Sequence, residues 1–258
     1  MTYNEILKML DGKMVLSVKN DINTIVFKQM CYHRNGYPAS NVVKPLMDRW
    51  NCCLDAEDIE QSYKDRVVLT IVTLLHKAGL VDADLTKKAM QAIEHFKKDC
   101  VLGENFSRQG DKVKALLKST PQPLTKKPGY KESITFYRAK DVVAIQLDGK
   151  YCAAYVLTDE HNEHPTITFY RAVFDHLPTL EEVQNVKIKK GFGSFMVAKM
   201  TYLPDYANQI RLIAANVELT PDGKPYKRKE HYSGVVTNMF ELQGDMRRLF
   251  QYNEEGWK

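Results

Sequence analysis

The sequence predicts an α+β protein: an N-terminal helical bundle followed by a mainly antiparallel, curved β-sheet domain with one or two helices. Three observations carry this. Apolar residues recur at three- and four-residue intervals through residues 1–105, and the period switches to two after residue 133. Between the two regimes lies a basic stretch with three prolines, Pro121, Pro123 and Pro128. The expected organisation is a helical domain over 1–107, a basic Pro-containing linker over 108–132 and an α+β domain over 133–258.

The first helix is announced by Thr2 and Glu5, a T-x-x-E capping box ahead of Tyr3, Ile6, Leu7 and Leu10, with Gly12 suited to the stop. Val15, Val18, Ile22, Ile25 and Val26 continue a helical period, although β-branched residues are dense there. Pro45 is expected to open a short helix carrying Leu46, Met47 and Trp50. After Asp55 the stripe Ile59, Tyr63, Val67, Ile71, Leu74, Leu75 and Ala78 predicts a long helix ending at Lys77 to Gly79. A further helix starts at about Asp84 with Leu85, Ala89, Ala92, Ile93 and Phe96 inward, and residues 112–118 suit a short one.

Beyond residue 133 the segments ITFYR, VVAIQL, YCAAYVL, TITFYR, FMVAKMTY and IRLIAANVEL read as strands. Asp148 and Gly149 within LDGKY supply the positive-φ pair of a tight hairpin. Thr179 with Glu182 forms a second capping box. Met239, Leu242, Met246, Leu249 and Phe250 predict a terminal helix despite Gly244.

Composition narrows the class. A hydrophobic content of 44% supports a core. No charged segment followed by an apolar stretch opens the chain, and the most apolar run, residues 67–75, falls short of the about 20 residues of a membrane span. A cytoplasmic protein without membrane association is expected. Five cysteines without C-x-x-C spacing argue against a disulfide framework or a zinc module. The adjacent Cys52 and Cys53 are expected to be one core and one surface thiol. Residues 1–107 hold 14 cations and 14 acids, 133–258 hold 16 and 16, and 108–132 hold 7 and 2, so the whole net charge of +5 sits in the linker.

The hexamer ITFYRA occurs twice, at 134–139 and 167–172. The similarity stops at its ends, and a solenoid needs at least three repeats, so the two copies are expected to be two strands of one sheet. Tyr137, Arg138, Tyr170 and Arg171 would then be available for recognition, in which Tyr and Arg are over-represented.

No motif compels a reaction. Residues 159–164, DEHNEH, group two histidines and three acids, but a hairpin connection is a poor metal cage and a solvated acidic loop is expected. The KKGFGSF stretch at 189–195 precedes a strand rather than a helix, which suits a turn better than an anion-binding loop. KPYKRKEHY at 224–232 and the basic linker keep a nucleic-acid-binding module open as the alternative. A nuclease using His176 and His231 is weaker still.

The string KDVVAIQLDGKYCAAYVLTDEHNEHPTITFYRAVFDHLPTLEEV, residues 140–183, resembles the opening of the immunity-26-like family of bacterial polymorphic toxin and contact-dependent inhibition systems. The order of features carries it: a D-V-x-A-I-x-L strand, D-G-K-Y, a strand ending in V-L, a polar loop, an aromatic strand, V-F-D and P-T-L-E-E. The resemblance implies a cytosolic, non-enzymatic α+β protein that binds and neutralises the C-terminal domain of a cognate toxin, with no cofactor and no metal. The expected contact residues are Asp159, Glu160, His161, Glu163, His164, Thr168, Tyr170, Arg171 and Asp175. With Glu181 and Glu182, the acids among them would meet a basic active site if the toxin is a nuclease.

Overall fold

The computed structural model describes residues 1–10, 12–33, 36–130, 135–159, 164–186, 192–198, 200, 204–227 and 235–250. They fall into two compact units. One comprises Met1–Met47 and Cys53–Lys131, the other Asp48–Cys52 and Glu132–Lys258.

The first unit is helical. In α1 (Tyr3–Met9) the capping box forms as expected: Glu5 N–H donates to the Thr2 hydroxyl at 3.3 Å, and the Glu5 carboxylate accepts from Thr2 N–H at 2.6 Å. Gly12 opens α2 (Gly12–Tyr32), which buries Met14, Val18, Ile22 and Val26. The helix expected to start at Pro45 begins five residues earlier, as α3 (Ser40–Leu54). Proline removes one N–H, and the first turn is already closed upstream by Val42 and Val43 N–H donating to the Ala39 carbonyl, each at 2.9 Å.

The long stripe forms α4 (Gln61–Lys77). It ends in a Schellman turn, with Leu80 N–H on the Leu75 carbonyl at 2.9 Å, Gly79 N–H on the His76 carbonyl at 3.1 Å, and Gly79 at φ +81°. Asp82 caps α5 (Ala83–Asp99) by accepting from Leu85 N–H at 2.9 Å, and all five inward residues named from the period are buried.

The helical unit runs past the boundary that composition suggested. Helix α6 (Gly103–Lys118) buries Phe106, Val113 and Leu117, so the basic linker is helical up to Lys118. The Pro-rich stretch also packs on this unit. The Asn23 side chain donates to the Gly129 carbonyl at 2.8 Å, and Tyr130 meets the Phe27 ring edge-on at 5.0 Å. A Cβ at Gly79 would stand 2.8 Å from Pro123 Cα.

The second unit is built on a six-stranded sheet of β1 (Val142–Leu147), β2 (Lys150–Thr158), β3 (Thr166–Phe174), β4 (Phe192–Ala198), β5 (Ile210–Ala214) and β6 (Val235–Asn238), in the order β5-β1-β2-β3-β4-β6. Every pairing is antiparallel except that of β4 with β6. Asp148 (φ 51°) and Gly149 (φ 74°) make the expected tight turn between β1 and β2. Strand β6, four residues long, did not register as a strand in the period-two reading.

Both faces of the sheet are covered. On one, Val143, Ile145, Cys152, Ala154, Ile167 and Phe169 pack with Met239, Leu242 and Met246 of α8 (Met239–Leu249). On the other, Val142, Ala153, Tyr155, Leu157 and Tyr170 pack with Val183 of α7 (Leu180–Gln184) and with Val217. Burial on both faces explains why β1 and β2 read as nearly continuous apolar runs.

The two copies of ITFYRA take different structures. The second is part of β3; Thr135 to Arg138 of the first lie outside any strand. Asp141 explains the difference locally. Its carboxylate accepts from Arg138 N–H at 2.7 Å, and Asp141 N–H donates to the Arg138 carbonyl at 2.9 Å, so the chain turns here before β1 begins.

Candidate functional site

The residues expected to meet a partner separate into three groups. At the β2–β3 connection, Asp159 faces Arg138, with Nε 3.7 Å from its carboxylate, and His164 is half-buried. Glu160, His161 and Glu163 lie outside the described residues. At the opposite end of β3, about 25 Å away at about 3.3 Å per residue, stands Asp175. Thr168 and Tyr170 lie between them.

The expectation for Thr168 and Tyr170 is corrected. Each residue is only 3% exposed, and Tyr170 belongs to the α7-side core. Tyr137 is likewise buried, in the α8-side core, whereas Arg171 is exposed. In a sheet covered on both faces, alternation leaves no solvent side for Tyr170 in the central strand β3. The Tyr170 hydroxyl finds no hydrogen-bond partner, nor does that of Thr168. Burial pushes the Tyr170 phenol well above its ordinary value.

The end of the sheet that carries Asp175 is the more coherent surface. Lys150 pairs with Asp175 and holds its carboxyl below the usual range. His176 lies 2.9 Å from Glu182. Thr179 N–H and hydroxyl donate to the same carboxylate at 2.7 and 2.9 Å. The backbone hydrogen bond from Thr179, then those from His176 and the Thr179 hydroxyl, hold Glu182 down to about 2. Asp148, in the adjoining β1–β2 turn, accepts from Arg247 at 2.8 and 2.9 Å, and Arg247 also reaches Asp48 at 2.9 Å. Asp175 and Glu181 are exposed and Glu182 half-exposed, so this end displays three carboxylates, Asp175 paired with Lys150 and Glu182 with His176.

Some of the basic residues behind the nucleic-acid alternative pair with acids. Arg108 pairs with Glu104 at 2.6 Å, Lys114 with Glu94, and Lys224 with Asp222 at 3.0 Å. Lys127 stands 5.6 Å over the Phe27 ring. Residues 228–232 of the second basic loop, His231 among them, and 187–191 of the glycine-containing turn lie outside the described residues.

Cys52 and Cys53 are both buried, which corrects the expectation of one surface thiol. The Cys52 thiol sits 3.5 Å from the Gln146 carbonyl. Among the described residues no group of three or more His, Cys, Asp or Glu is placed to hold a metal ion, and no helix is long and apolar enough to cross a membrane.

Two constellations escaped the sequence reading: the buried pair of Arg49 with Asp205, and Asp65 with His95. Asp65 did leave a trace, as a carboxylate in the mostly apolar run of α4. Arg49 left none, since a lone arginine in a helix ordinarily faces water. Set against models of protein families, curated proteins and solved structures, the chain matches none of them.

Proposed function

We propose that this chain is an immunity-type protein that binds and neutralises a bacterial toxin domain in the cytosol. One observation supports the reading above others. The described residues of the stretch 140–183 that resembles the family opening form the meander β1–β2–β3 followed by α7. Its motif residues serve that unit: D-G makes the first turn, V-F-D closes β3, and the T-x-x-E box opens α7.

The contact surface proposed is the end of the meander that displays Asp175, Glu181 and Glu182, with Arg171 on the same strand as Asp175's approach. Of the expected contact set, Thr168 and Tyr170 drop out because they are buried, while Arg171 and Asp175 are kept. Exposed carboxylates at this end suit a toxin with a basic active site, because complementary charge speeds encounter and fixes register.

The test is co-expression with the toxin domain encoded beside this chain. Growth should be restored and the two proteins should co-purify. Asp175→Lys with Glu181→Lys should weaken protection while leaving the thermal midpoint in place. If no neighbouring toxin is either neutralised or bound, the reading is wrong.

A further inference from the structure

We propose that His95 is a nucleophilic imidazole able to accept a phosphoryl group at Nε2, with Asp65 as its positioning residue. The observation is an asymmetric pair in the helical unit. His95 Nδ1 lies 2.9 Å from Asp65 Oδ2; the histidine side chain is 56% exposed and the aspartate side chain 10%. The other carboxylate oxygen, Oδ1, accepts from Gln61 Nε2 at 2.8 Å. The carboxylate is therefore held on both oxygens, and α4 and α5 fix where it points.

A carboxylate only accepts, so Nδ1 of His95 carries the proton and donates it. In the neutral ring this leaves the lone pair on Nε2, which has no partner among the described residues. Among the described residues the other histidines do not share this arrangement. His76 is buried and bonded on both nitrogens, to the Tyr3 hydroxyl and to the Ser119 carbonyl, each at 2.8 Å. His176 presents Nε2 to Glu182, at the surface. A merely structural tie between two helices does not require an oriented ring on an exposed side chain with its basic nitrogen unpartnered. A nucleophile requires both.

The chemistry follows from the tautomer. Nε2 attacks phosphorus of a small donor, the bond from phosphorus to its leaving group breaks, and the donor's leaving group departs with the electron pair. The Nδ1 proton stays where it is. The ring becomes cationic as the Nε2–P bond forms, and the Asp65 carboxylate at 2.9 Å offsets that charge. Lys98 is exposed and follows His95 by three positions on α5, a spacing at which side chains are neighbours on a helix surface.

The experiment treats the full chain with phosphoramidate, whose leaving group is ammonia, and follows modification of each histidine by mass spectrometry and by phosphorus NMR. His33 is an internal reference, exposed and without a hydrogen-bonded carboxylate among the described residues. His95 should react at least about tenfold faster than His33, give an acid-labile product, and lose the advantage in Asp65→Asn. His95→Gln should abolish the fast signal. Reaction of His95 no faster than His33 overturns the proposal, as does an unchanged ratio in a folded Asp65→Asn. If that variant fails to fold, the ratio in the unsubstituted chain decides alone.

Discussion

The Arg49 guanidinium and the Asp205 carboxylate meet twice inside the sheet unit, at 2.7 and 3.2 Å, with side chains only 2% and 1% exposed. The pair is fully dressed. Arg49 also donates to Gln209 Oε1 at 3.1 Å, and Asp205 accepts from the N–H groups of Ala207, Gln209 and Ile210 at 3.2, 3.0 and 2.9 Å. Removing one partner strands the other charge in a buried site. Arg49→Ala should therefore cost about 3–5 kcal/mol, measured by chemical unfolding followed through the neighbouring Trp50. A paired replacement by leucines should cost less than the sum of the single changes.

Gly79 and Gly244 should respond in opposite directions to alanine. Gly79 holds φ +81° in the turn after α4, and a Cβ there would press on Pro123 Cα at 2.8 Å. Gly79→Ala should destabilise by more than about 1 kcal/mol. Gly244 lies inside α8 with nothing within 4 Å of an added Cβ, so Gly244→Ala should stabilise by roughly 0.5–1 kcal/mol. Thermal midpoints of the two variants check the contrast.

Glu182 provides a pH signature for the second capping box. Its carboxyl titrates at about 2 in the folded chain instead of its ordinary 4.5. A depressed carboxyl adds stability that is present above the ordinary value and lost as pH falls through about 2. Thr179→Ala should move the titration midpoint of Glu182 upward, read by carboxyl NMR. An unmoved midpoint would show that His176 alone holds the carboxylate.

Tyr155 and Tyr170 share one core but should not tolerate phenylalanine equally. The Tyr155 hydroxyl donates to the Val217 carbonyl at 2.8 Å, whereas that of Tyr170 is buried without a partner. Tyr155→Phe should cost about 0.5–1.5 kcal/mol, and Tyr170→Phe should be neutral or stabilising, by denaturant unfolding.

The residues themselves explain which features were legible. Both capping boxes, the Asp148 and Gly149 turn, the stripe of α4 and the face of α5 depend on partners no more than a few positions away, so their spacing is written in the chain. Pro45 misled because a proline near a helix start is compatible with being first or with being just inside. The basic linker misled because charge is not a measure of packing: the cations of α6 ride on the outside of a helix whose Phe106, Val113 and Leu117 are buried. Strand β6 was too short to establish a period of its own.

The sequence by itself determined the α+β class, the helices-then-sheet order, the caps and the central hairpin, because each rests on local spacing and backbone preference. Only the tertiary structure decided the rest. One hexamer became a buried strand at its second site and a turn-bound segment at its first, since β3 has strands on both sides while Thr135 to Arg138 are tied to Asp141. Arg49 became a buried ion rather than a surface one because Asp205, 156 positions away, arrives with three backbone N–H groups already oriented on its carboxylate. Periodicity fixes which face of an element is apolar; what covers that face, and which polar groups are trapped beneath, depends on residues that meet only in the folded chain.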